Sequence, residues 1–298
     1  MNKNNKIALC FLVTKNIINL NIWKKWWSGY EDYINIYSHY SKKGEITQPE
    51  LTKNRVKPVP TRWGDISLCN AEHQLYKKAY SDKTNKMFIL VSDSCVPVKS
   101  FKMVYGKLMK DKTRGIAPFR SLGRFDKEDM VPFRPKPDCI KLMEKFRFFD
   151  KDVYACDQWK CLSRNNVLDF LAMYRNKSFM KLFKKFCINV VPDSLAPDEL
   201  MYINWLQQRH GFGGKNLKKV LRNGLITYVD FNKEAIHPLN YKQVTPRLKE
   251  YMCGSGAIFA RKFVNPMEKK LLTQLPTSCR KKSVKRSRKK SKKRSRKK

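Results

Sequence analysis

The chain has 298 residues, 42% hydrophobic and 12% aromatic, enough for one large or two small domains with a true core. Its formal net charge is +39, and setting aside the 14 Lys and Arg of residues 280–298 still leaves 50 bases against 25 acids, so the body itself favours an anionic ligand or surface. The nine cysteines are odd in number and include no CxxC pair, and the four histidines are scattered at positions 39, 73, 210 and 237. This argues against a disulfide framework or a zinc site and for reduced, buried thiols in a cytosolic-type compartment.

The first apolar run, Ile7–Val13, is closed by Lys15. It is too short to span a bilayer and has no small-residue cleavage site, so it reads as a buried strand. No other uncharged stretch approaches membrane length, and the expectation is a cytoplasmic or soluble intracellular protein. Ile17–Trp27 reads as a helix, with Ile18, Ile22 and Trp26 at four-residue spacing. Ile34–His39 is a second strand, Ile66–Tyr80 a helix with Leu68, Leu75 and Ala79 on one side, Met87–Val91 a buried strand and Phe101–Met109 a helix. This alternation predicts an α/β sandwich with a mainly parallel central sheet. From Arg114 to Cys156 the periodicity breaks down in a stretch rich in Pro, Gly, Phe, Arg and Lys, of the kind that is functional or mobile. Helical patterns return at Asn165–Tyr174, Lys177–Cys187 and Asp198–Gln208. Leu225–Phe231 and Gly256–Phe263 are late strands, and Pro266–Leu275 a last short helix. Residues 1–279 are read as a single domain. The Lys/Arg/Ser run over 280–298 cannot bury anything and is expected to be a disordered tail.

Two places draw attention on chemical grounds. Strand Met87–Val91 runs into Ser92-Asp93-Ser94-Cys95-Val96-Pro97, and in open α/β sheets ligands bind just beyond the carboxyl ends of strands. Alone, this run reads more readily as an ordinary strand–turn–helix junction. Pro197-Asp198-Glu199 opens a strongly patterned helix, where proline is tolerated and acids meet the positive end of the helix dipole. A carboxylate there is either a first-turn acid stabilising its helix by roughly 0.3–1 kcal/mol or a catalytic base.

Neighbouring motifs bear on that choice. In chain order they are Pro60-Thr61-Arg62-Trp63-Gly64-Asp65-Ile66-Ser67-Leu68 leading into Ala71-Glu72, the Asp93 run, Cys156-Asp157-Gln158-Trp159 with Ser163-Arg164, Ala196-Pro197-Asp198-Glu199, and Gly256-Ala257-Ile258-Phe259-Ala260-Arg261-Lys262-Phe263. In this order and at these separations the set resembles the Branch family of glycosyltransferases. That family takes in the core-2/I-branching N-acetylglucosaminyltransferases, the xylosyltransferases and a related plant and microbial group, to which the likeness is greatest. The likeness covers nearly all of residues 6–275.

The resemblance implies a GT-A-like fold and inverting transfer from a UDP-sugar to a glycan or glycoprotein hydroxyl, with N-acetylglucosamine or xylose as the sugar. It implies that Glu199 is the base and that Lys262 contacts the donor diphosphate, with Arg261 at a variable position adding a second cation. It further implies a donor side near Asp93 and Trp63, an acceptor side at Gln158 and Trp159, and no metal, since basic side chains do the work of a divalent ion; Trp159 reads equally as a core tryptophan and Trp63 equally as a packing residue. Asp150-Lys151-Asp152 has the Asp-x-Asp form that many GT-A enzymes use for manganese, but it follows a poor strand and reads as chance. His237-Pro238 matches a pair seen in the plant-like group. The chain departs from the family where Tyr37-Ser38-His39-Tyr40 replaces an Asp that contacts uridine, and where Leu239 and Asn240 stand in the region of a second diphosphate-binding Arg. Neither the membrane anchor nor the disulfide set of the animal members is expected. The tail suits nucleic acid, an anionic membrane or nuclear import. The competing function is a basic nucleic-acid-binding protein on a catalytically inactive scaffold.

Overall fold

β1 (Lys6–Val13) explains its own apolar run, because both of its faces are covered. Ile7, Leu9, Phe11 and Val13 enter one hydrophobic layer, whereas Ala8 and Cys10 enter the layer on the opposite side. Side chains alternate along a strand, so a strand buried on both faces must be apolar at every position. The computed structural model describes residues 1–40, 46–125, 137–189, 196–231 and 238–266.

After β1 come α1 (Leu20–Trp27), a 3-10 turn (Glu31–Tyr33), β2 (Ile34–Tyr40), the short α2 (Pro49–Thr52), α3 (Ile66–Ser81), β3 (Asn85–Ser92), β4 (Val96–Pro97) and α4 (Phe101–Met109). Next follow β5 (Gly115–Ala117), β6 (Phe119–Gly123), α5 (Pro137–Lys145), β7 (Val153–Cys156), β8 (Cys161–Ser163), α6 (Arg164–Arg175) and α7 (Lys177–Asn189). The described chain closes with α8 (Pro197–His210), α9 (Gly214–Val220), β9 (Leu221–Asn223), β10 (Thr227–Val229), α10 (Pro246–Gly254) and β11 (Phe259–Arg261). Six strands form the central sheet in the order β2-β1-β3-β8-β5-β9. β1 pairs in parallel with β2 and β3, and β5 with β9, whereas β8 runs antiparallel to both its neighbours. The predicted mixed α/β architecture with a mainly parallel sheet is the one observed.

One hydrophobic layer joins the sheet to α3, α6, α7 and α8, and the other joins it to α1 and α4. In the second layer Trp23 and Trp26 pack edge-on to each other and against Phe259, and their indole N–H groups donate to the carbonyls of Cys95 and Lys99. Two small sheets flank the large one: β10-β11-β4, and the β6-β7 pair.

The structure corrects several expectations. Residues 114–156 are not irregular throughout, since β5, β6, α5 and β7 all lie there. These strands are three to five residues long, too short to show a period. Gly115 permits one of them: a Cβ there would lie 2.5 Å from Asn166 Oδ1, the atom that accepts the Gly115 N–H. α1 starts at Leu20 rather than Ile17, and the late strands shrink to Thr227–Val229 and Phe259–Arg261. Cys10, Cys69, Cys95, Cys156 and Cys161 are free and buried as expected, but Cys253 is disulfide-bonded, contrary to the reading of reduced thiols. Among the described residues no helix is long and apolar enough to cross a membrane. His237, the 280–298 tail and the proposed last helix beyond Pro266 lie outside the described residues.

Candidate functional site

The sequence-predicted residues gather at two poles that meet at residues 157–160, between β7 and β8. The acidic pole begins with α8. Ala196 is its N-cap and Pro197 its first helical residue, so the chain enters with Asp198 and Glu199 in the first turn. Asn204 fixes the helix against β7: its side chain accepts from Tyr154 N–H and donates to the carbonyls of Tyr154 and Leu200. This brings Glu199 within electrostatic reach of Asp157, just after β7, and of the exposed Arg120 on β6.

Glu199 is half-buried. Burial, followed by the negative charges of Asp198 and Asp157, pushes its carboxyl up to about 7, against the opposing pull of Arg120. Asp157 is itself raised by burial, with Arg120 and Lys160 pulling the other way. A carboxylate so placed takes up a proton near neutral pH, as general base chemistry requires.

Behind Glu199 lies a group to which the sequence reading gave no role. Asp198 is 4% exposed, and its Oδ1 has no hydrogen-bond partner. Lys160 is 0% exposed and pairs with Glu72 of α3, 1% exposed, at 3.0 Å. Lys160 also donates to the carbonyl of Gln158 at 3.1 Å. Burial pushes Glu72 up to about 7, against the attraction of Lys160. Burial opposes the charge on Lys160 too, but Glu72, Cys156 and Asp198 outweigh it, and the ammonium stands above its ordinary value. The signal was present in the sequence. Glu72 falls on the same face of α3 as Leu68, Leu75 and Ala79, and Lys160 sits between Trp159 and Cys161-Leu162, where an unpaired charge would not be tolerated.

The basic pole is built on β11. This strand pairs antiparallel with β4, and Phe263 N–H donates to the carbonyl of Ser94, so β11 lies alongside the loop that leaves β3. Asp93 caps that loop: its Oδ2 accepts from Thr14 N–H at 2.9 Å, and its carbonyl accepts from Ile18 N–H. The Arg261 guanidinium is positioned over the Trp159 ring, 4.4 Å from its centroid. Burial lowers the Arg261 pKa, partly offset by Cys95 and Asp93. Its Nε has no hydrogen-bond partner. A guanidinium stacked on an indole and short of one partner is poised for an anion. Lys262 is half-buried, and its carbonyl accepts from Tyr241 N–H at 2.8 Å.

Trp159 is 7% exposed, with Arg261 over its ring, so it braces a cation rather than offering an open face to a sugar. Gln158 is half-buried beside it. Trp63 is 65% exposed, just before Gly64, whose φ of +70° turns the chain into α3. His39 is buried, its Nε2 accepts from Val59 N–H, and burial lowers it to about 4, so the ring is neutral. Asp150 and Asp152 do not converge: Arg147 Nε donates to Asp150, and Ser121 Oγ donates to Asp152. Among the described residues no group of three or more His, Cys, Asp or Glu side chains is arranged to hold a metal ion.

Residues 7–252 match the model of the Branch family, described as core-2/I-branching enzymes. A curated relative, "Glycosyltransferase BC10" of Oryza sativa subsp. japonica, is 24% identical over 324 residues, covering 90% of this chain and 76% of the rice protein.

Proposed function

The chain belongs to the core-2/I-branching family of glycosyltransferases, whose fold is GT-A-like, and on that premise we propose that it is an inverting, metal-independent enzyme using a UDP-sugar. The sugar moved is N-acetylglucosamine or xylose, and the acceptor is a hydroxyl of a glycan or glycoprotein. Glu199 takes the acceptor proton as the bond from sugar to phosphate breaks. Lys262 and Arg261 meet the charge that accumulates on the departing diphosphate. Asp93 and Trp63 belong to the donor side and Gln158 to the acceptor side, with Trp159 acting through Arg261.

The observation that carries this reading is the half-buried Glu199, raised to about 7 by burial and by two neighbouring acids. The segment that supplies Asp157 to this pole supplies Trp159 to the basic pole. An acid meant only to cap a helix gains nothing from such surroundings; a base acting near neutral pH does.

The test is a thermal-shift and transfer screen of the full chain with UDP, UDP-N-acetylglucosamine, UDP-xylose, UDP-glucose and UDP-glucuronate, with manganese or with a chelator. Stabilisation by UDP and turnover of one donor in chelator are expected. Dependence on manganese would overturn metal independence. Absence of any UDP effect, together with nucleic-acid binding lost on removing residues 280–298, would replace the enzyme by a basic binding protein.

A further inference from the structure

The buried pair behind the proposed base has a role that neither family membership nor the transfer chemistry assigns. Lys160 is the only lysine among the described residues that is fully buried. It lies at 3.0 Å from Glu72 and within electrostatic reach of Asp198. Each of these two acids keeps one buried carboxylate oxygen without a partner, Glu72 Oε1 and Asp198 Oδ1. Glu72 is ion-paired with this buried ammonium, and Asp198, the residue directly before Glu199, lies within its electrostatic reach.

We propose that Lys160 is a positioning residue for the base: by holding Asp198 ionised through the buried Glu72–Lys160–Asp198 group, it sets the proton affinity of Glu199 without touching substrate. The inference rests on the reading of Glu199 as the base. Without Lys160, a carboxyl this deeply buried has no counter-charge and takes up a proton, because burial disfavours the charged form. A neutral Asp198 no longer repels the Glu199 carboxylate, and Glu199 holds its proton less tightly.

The sign of the effect is what makes the proposal specific. Removing a cation by simple Coulomb action raises the pKa of a nearby acid; removal acting through Asp198 lowers it. Lys160 also pulls Asp157 down, so its removal reaches Glu199 by a second route, and the Asp198→Asn background separates the two. Glu199 faces Asp157 from the β7–β8 connection and Arg120 from β6, and its charge also acts on Cys156 of β7. Glu72 acts on Cys10 of β1, Tyr76 of α3 and Tyr174 of α6, whose ordinary values are already basic and which burial raises further. Lys160→Met leaves the Asp157 and Arg120 side chains in place.

The experiment is a pH titration of the full chain carrying 13C at the glutamate side-chain carboxyls, followed by NMR, with the Glu199 signal assigned from Glu199→Gln. In Lys160→Met the Glu199 midpoint is expected to fall by about one pH unit. In Asp198→Asn it falls similarly, and adding Lys160→Met to Asp198→Asn gives no further fall. Lys160→Arg, which keeps the charge, restores the original midpoint. Should Lys160→Met not fold, Glu72→Gln/Lys160→Met removes both members of the pair, still strips Asp198 of its cation, and is expected to show the same fall. A midpoint that stays or rises in the folded variants overturns the proposal. The titration uses no turnover, so its result is separate from that of the base assignment: transfer surviving Glu199→Gln would remove the base while leaving the titration result intact.

Discussion

The two poles of the site handle charge in opposite ways. At the basic pole a guanidinium lies over an indole ring with one N–H unsatisfied, beside a lysine just beyond the end of its strand. Cations are abundant in this chain, and the fold has only to orient two of them. At the acidic pole Glu72, Asp157, Asp198 and Glu199 are drawn together in a protein with a net charge of +39, around one buried lysine and one exposed arginine. Net charge therefore predicts little about local proton affinity. Burial at α8 raises Glu199 in spite of the surplus of positive charge, because surface cations are screened by water and buried neighbours are not.

Five substitution experiments and one pH profile test this contrast, from the largest expected effect to the smallest. Glu199→Gln should lower transfer by about 10²–10⁴-fold, the usual contribution of a general base, while UDP still raises Tm. Loss of UDP binding in this variant would place Glu199 on the donor instead. Trp159→Ala should cost about 3–5 kcal/mol in denaturant unfolding, since the ring is buried, and should also weaken UDP binding because Arg261 loses its support. A stable variant with only a raised acceptor KM would return Trp159 to the role of sugar platform.

Lys262→Ala should weaken UDP affinity, measured calorimetrically, by roughly 10–100-fold, corresponding to about 1.5–3 kcal/mol for a hydrogen bond to a charged group. Arg261→Lys should weaken it less, since the charge survives and the stacked planar fork does not. The pH profile of kcat/KM should rise with pH through about 7, because Glu199 is raised and is a base only once its proton has left. Below that point the rate should fall by about tenfold per pH unit. Asp150→Asn and Asp152→Asn, separately or together, should leave UDP binding and transfer unchanged, with or without manganese. Both residues are exposed and each already has a different protein partner.

Much of the fold was legible because β1 and β3 are buried on both faces and α3 and α4 keep their periodicity over two turns or more. Local pattern and tertiary environment agree there. β5, β7, β8 and β9 were not legible: at three or four residues each, they owe their existence to partners rather than to their own pattern. The same division runs through the site. Glu199, Lys262 and Arg261 stood out by motif, because helix starts and strand ends present side chains in a fixed register. Lys160 and Glu72 were visible as charges in apolar settings, but their pairing across 88 residues of sequence was not.

The sequence by itself determined the α/β alternation, the helix start that carries Asp198 and Glu199, and the register of motifs that marks the family. These are local or ordered along the chain, and backbone sterics and side-chain period suffice to specify them. Only the tertiary structure decided that Trp159 braces Arg261, that Asp150 and Asp152 face different partners, and that one buried lysine serves two buried acids behind the base. Burial and electrostatics act through space, and which charges share a water-poor interior is settled only when distant segments pack together.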